Sequence, residues 1–187
     1  VQKLFNGMTK FGLGSHSQSV GSIILDDCHA CIDAIHQGVK IKLPRSHHAY
    51  QPLFALFSSD LKEQGAGTYA EIELGAYKPY LPIPYWAWTS HQDNVAAILA
   101  KHVNTDEIKY AWPLIKDDLQ HCTCIISGSS IEIEPHLPPL DLFGSYSKAG
   151  HRVFMSATVT NDAFLVKGLG LKPSVIEKPV VDKKERW

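Results

Sequence analysis

The chain has 187 residues, 44% of them hydrophobic and 20% charged, with a formal net charge of -1. That balance excludes a disordered tail, and the length suits one sizeable core or one domain carrying a large insertion. No apolar run approaches the roughly 18 residues of a membrane span, and no charged-then-apolar leader opens the sequence, so the expectation is a cytoplasmic protein with no membrane partner.

In chain order, residues 3–8 are amphipathic and predict a short helix, followed by a Gly/Ser-rich surface loop over 12–19. Ser22-Ile23-Ile24-Leu25 reads as a buried strand that runs into the polar turn Asp26-Asp27-Cys28-His29. Ala30, Cys31, Ala34 and Ile35 then recur at helical spacing, and Gly38 ends that helix. Further helices are expected around 49–61, 94–103 and 105–120, the last with Thr105 as N-cap and with Pro113 interrupting it. The alternation over 68–74 predicts a half-buried strand. Two prolines within 80–88 argue for an extended segment whose aromatics, Tyr80, Tyr85, Trp86 and Trp88, anchor in the core. Gly128-Ser129, flanked by 122–127 and 130–134, is a hairpin signal, and Pro135, Pro138 and Pro139 mark an irregular return. Residues 152–155 read as another short buried strand, leading directly into Ser156-Ala157-Thr158.

Two of these segments resemble a known family. Asp26-Asp27-Cys28-His29 resembles motif II (D-E-x-H) of the superfamily-2 DEAD/DEAH helicases, and Ser156-Ala157-Thr158 is similar to their motif III, S-A-T. Their order is the family's, and residues 159–165 with Gly168-Leu169-Gly170-Leu171 look like the segment that follows motif III. The resemblance implies an α/β fold in which 1–38 and 146–187 belong to a partial RecA-like parallel sheet. Residues 39–145 would form a large α+β insertion between them.

For the site, the resemblance implies that Asp26 holds Mg²⁺ through water beside the phosphates of ATP and that Asp27 orients the attacking water. His29, Ser156 and Thr158 would couple nucleotide state to the grip on DNA or RNA. Asp27 stands where the family has Glu, one methylene longer. The chain contains no G-x-x-x-x-G-K-[ST] phosphate loop. The reading is therefore a fragment of an ATP-dependent helicase, running from motif II to motif III and inactive alone, whose partners include the second RecA-like domain of the same parent chain. No residue is assigned to nucleic-acid binding.

Other readings compete with this one. Asp26 and Asp27 can be a strand-end acid pair that caps a helix, leaving a noncatalytic interaction module with a degenerate nucleotide site. Cys28, His29 and Cys31 with His121, Cys122 and Cys124 suggest a zinc site, although their spacing favours four reduced, buried thiols. The aromatics of 80–88 can stack nucleic-acid bases instead of filling a core. His47 and His48 beside Arg45 and Lys42 read either as a small basic surface or as a solvated loop.

Overall fold

The computed structural model describes residues 1–155 and 162–176. Six strands form two sheets. β1 (Ser22–Leu25) and β6 (His151–Phe154) pair in parallel, in register from Ser22 opposite His151 to Leu25 opposite Phe154. β2 (Ile41–Pro44), β3 (Tyr80–Pro82), β4 (Cys122–Ser127) and β5 (Ser130–Pro135) make an antiparallel sheet in the order β2-β5-β4-β3. The architecture is mixed α/β. A parallel pair needs a crossover, and here it is supplied by the whole segment from Asp26 to Gly150, which contains the antiparallel sheet.

Helix α1 (Cys28–Val39) follows β1 and buries Cys28, Cys31, Ile32, Ile35 and Val39. Of the four residues whose spacing predicts the helix, Cys31 and Ile35 lie on this stripe, while Ala30 is exposed and Ala34 half-buried. It packs on α7 (Trp112–Ile115) and on β5. The crossover and the parallel pair thus share one continuous buried cluster, from Phe5 and Leu25 through Ile131 and Ile133 to Leu169. β4 and β5 form the expected hairpin, turning Cys122, Cys124, Ile126, Ile131 and Ile133 inward. Gly128 in its turn lies so near the chain at Gly75 and Ala76 that a Cβ would sit 2.3 Å from the Ala76 carbonyl oxygen. Closeness of approach selects glycine there.

Several expectations are corrected. Residues 68–74 belong to α3 (Ser58–Glu73) and its end, because Leu61, Tyr69 and Ile72 are buried at helical spacing while Leu74 is exposed. The alternation there was one of charge, on strong helix formers. Residues 3–8 form turns, and Phe5 is fully buried edge-on against Phe143 and Tyr146, with ring centroids 5.2 and 5.1 Å away. The expected helix at 49–61 divides at Phe57 between α2 (Tyr50–Leu56) and α3. Past α4 (Tyr85–Ser90) and α5 (Gln92–Ala100), the helix expected at 105–120 divides into α6 (Asp106–Lys109) and α7, with Pro113 in the first turn of α7. Within 80–88, only Trp88 is anchored as expected, its Nε1–H donating to the Leu119 carbonyl at 2.7 Å. Tyr80, Tyr85 and Trp86 are exposed.

Thr105 occupies the N-cap position of α6 but spends its hydroxyl elsewhere. Its Oγ1 donates to the His102 carbonyl at 3.0 Å and stands 3.2 Å from His47 Nε2. His47 Nδ1 accepts the Ala49 N–H at 3.1 Å, which fixes the neutral tautomer with hydrogen on Nε2. Burial lowers the His47 pKa, Glu107 on α6 opposes that, and the neighbouring His102 and His48 reinforce it. Because the folded value lies below the ordinary one of about 6.5, the unfolded chain takes up the proton first. The stability contributed here is therefore complete above that pH and falls away below it. His47→Asn, whose side-chain oxygen can accept the same Ala49 N–H, is expected to flatten the loss of urea stability between neutral pH and pH 5. Identical pH profiles for the two proteins would remove His47 from the account.

Candidate functional site

The parallel pair places the acidic turn. Leu25, the last residue of β1, is buried, and its carbonyl accepts the Met155 N–H at 2.9 Å while Cys28 N–H donates to the Met155 carbonyl at 3.0 Å. Asp26 and Asp27 are thereby held at the carboxyl end of β1, against the end of β6, with both side chains exposed. In parallel sheets ligands gather at this end of the strands.

Asp27 has φ 51° and ψ 73°, the only positive φ of a non-glycine residue among those described. Left-handed backbone is costly for most side chains and least so for Asn and Asp. The reversal lets the turn enter α1 within one residue. Asp27 Oδ1 accepts the Ala30 N–H at 3.4 Å as the helix N-cap, and Asp26 Oδ1 accepts the Asp27 N–H at 3.0 Å. Each carboxylate keeps one oxygen without a described protein donor. Those oxygens face solvent beside the positive end of a three-turn helix.

The four cysteines are free and buried, as expected, and two of them act as donors to the turn. Cys31 Sγ–H donates to the Asp26 carbonyl at 3.2 Å and Cys28 Sγ–H to the Leu25 carbonyl at 3.7 Å. With Cys31 N–H on the Asp27 carbonyl at 3.0 Å, all three carbonyls of the turn are engaged. Burial raises the pKa of both thiols, reinforced at Cys28 by Cys31, so they remain protonated donors at neutral pH. On β4, burial pushes Cys122 up to about 12, and burial raises Cys124 as well. Among the described residues no group of three or more His, Cys, Asp or Glu is placed to hold a metal ion, so the zinc reading finds no donor set there.

His29, at the second position of α1, is half-buried on the helix that carries the turn. Ser156 and Thr158 lie outside the described residues; Met155, which precedes them, is the residue hydrogen-bonded to both sides of the acidic turn. Asp26 and Asp27 offer exposed carboxylates, the oxygen donors that Mg²⁺ takes. An exposed carboxylate oxygen suits an ion that keeps most of its water shell and takes few protein ligands. Comparison of the chain with protein-family models, with curated proteins and with solved structures returns no match.

Proposed function

We propose that the chain is the motif II to motif III part of a RecA-like nucleotide-binding domain from an ATP-dependent nucleic-acid helicase or translocase. The observation that carries this reading is the parallel pairing of β1 with β6, which sets the Asp26-Asp27 turn against Met155, the residue that precedes Ser156-Ala157-Thr158 in sequence. β1 and β6, far apart in sequence, pair in parallel, and each runs in sequence towards one of the two motifs, at the end of the strands where ligands of parallel sheets gather.

The parallel pair also supports the reading through what it leaves open. Two parallel strands are not independently stable, and parallel sheets are normally covered on both faces. Among the described residues neither β1 nor β6 has a second neighbour, and Ile24, Val153 and Met155 are exposed. On this proposal, further parallel strands and the phosphate loop come from elsewhere in the same parent polypeptide, as does the second RecA-like domain, and the protein is cytoplasmic.

Bound Mg²⁺-ATP would supply a labile terminal phosphoryl group. Asp26 would hold a metal-bound water with its outward oxygen. Asp27 would accept a hydrogen bond from the attacking water and fix its approach, a role in which positioning contributes most of the rate. His29, Ser156 and Thr158 would carry the state of the site to DNA or RNA. A second reading, a noncatalytic interaction module with a degenerate site, draws on the N-cap bond of Asp27. Turnover of ATP by the parent protein separates the two. Asp26→Asn is expected to lower it at least about 100-fold, since the variant keeps the shape and loses the charge that holds the metal's water.

A further inference from the structure

Trp86, near the start of α4, is 68% exposed, an unusual setting for the residue type with most apolar area to bury. It lines a cavity of about 360 Å³ together with Pro84 and with Asp60, Glu63 and Gln64 of α3. Among the described residues no lysine or arginine lines the cavity. Neither Asp60 nor Glu63 has an ion-pair partner among the described residues. Lys62, between them in sequence, holds its Nζ 4.9 Å over the Tyr69 ring instead.

An indole beside two carboxylates attracts a cation and repels a phosphate backbone. We propose that this cavity is a docking site for an arginine-bearing segment of a partner protein. The guanidinium stacks flat on Trp86 and donates to Asp60 and Glu63, while Gln64 offers an amide to the peptide backbone. Arginine fits better than lysine because its planar fork both stacks and pairs with carboxylates, whereas an ammonium is a more strongly hydrated point charge. The site lies on α3 and α4 and does not depend on the nucleotide reading of Asp26 and Asp27.

The test is fluorescence anisotropy of a labelled hexa-arginine peptide at about 0.15 M salt, where weak long-range attraction is screened. Saturable binding is expected, weakened about tenfold by Trp86→Ala and at least as much by Asp60→Asn with Glu63→Gln, as for removal of an interface anchor. Lys62→Gln should bind as the wild type does, and hexa-lysine more weakly. Unchanged circular dichroism of the exposed Trp86→Ala variant ties any loss to the site, and the double amide variant provides the same answer should that variant unfold. Equal binding by wild type and both variants overturns the proposal. So does an oligothymidylate that binds in a Trp86-dependent way, which would make the cavity a base-stacking surface.

Discussion

Asp27→Asn is expected to leave the chain folded and to remove ATP turnover from the parent protein. The N-cap bond of this side chain and the role proposed for it separate cleanly because they use different properties of it. As an N-cap it needs one oxygen to accept the Ala30 N–H and tolerance of a positive φ. Asparagine offers both, so the unfolding free energy should move by no more than about 0.5 kcal/mol. Orienting and polarising a water needs the charge as well, and its loss should lower turnover on the order of 100-fold. Asp27→Glu makes the opposite trade. It restores the reach of the family's acid while weakening the cap, so faster turnover with lower stability is expected. Unchanged turnover in Asp27→Asn would reduce Asp27 to a capping residue and favour the noncatalytic reading.

Arg45→Met is expected to cost about 2–4 kcal/mol, read as a fall in the urea midpoint with an unchanged slope. Nη1 of Arg45 donates to the Ile72 carbonyl at 3.0 Å and the Gly128 carbonyl at 3.2 Å, and Nη2 to the Glu73 carbonyl at 2.7 Å. One guanidinium therefore ties the end of β2 to the last turn of α3 and to the β4–β5 turn. The Tyr50 hydroxyl reinforces it, donating to the Ser127 carbonyl at 2.6 Å with the Arg45 guanidinium over its ring. Methionine retains the stem but gives the Glu73 and Gly128 carbonyls no replacement donor, while the Ile72 carbonyl keeps the Gly75 N–H at 2.9 Å. Arg45→Lys should recover only part of the loss, since an ammonium cannot span three acceptors in a fork. A midpoint equal to that of the wild type would mean that water satisfies those carbonyls and that the clamp contributes little.

What the sequence disclosed follows from how local each feature is. β1, α1 and the β4–β5 hairpin were legible as elements because apolar spacing and the Gly128-Ser129 turn are written within a few residues, but the burial expected of β1 and β6 holds among the described residues only for Leu25. The same spacing in 68–74 misled, as charges alternating on Ala, Glu, Ile and Leu mimic a strand until the burial of Tyr69 and Ile72 decides for a helix. β2 escaped notice because four residues ending in proline, Ile41–Pro44, give alternation little room. The pairing of β1 with β6 had no local signature, and only the order of two motifs suggested it. The Arg45 clamp and the thiol donors Cys28 and Cys31 bond to backbone carbonyls, which carry no residue identity, so nothing in the sequence could announce them. The exposed Trp86 was the converse case, an aromatic expected inside whose helix turns it out over Asp60 and Glu63.

The central claim is that the Asp26-Asp27 turn is the acidic side of a Mg²⁺-ATP site, and single-turnover hydrolysis of ATP by the parent polypeptide tests it most directly. With wild-type protein in excess over nucleotide, the account predicts Mg²⁺-dependent phosphate release that single-stranded nucleic acid accelerates and that Asp26→Asn abolishes. Phosphate release at the same rate from the Asp26→Asn protein, or none from a wild-type protein that binds ATP, would contradict it.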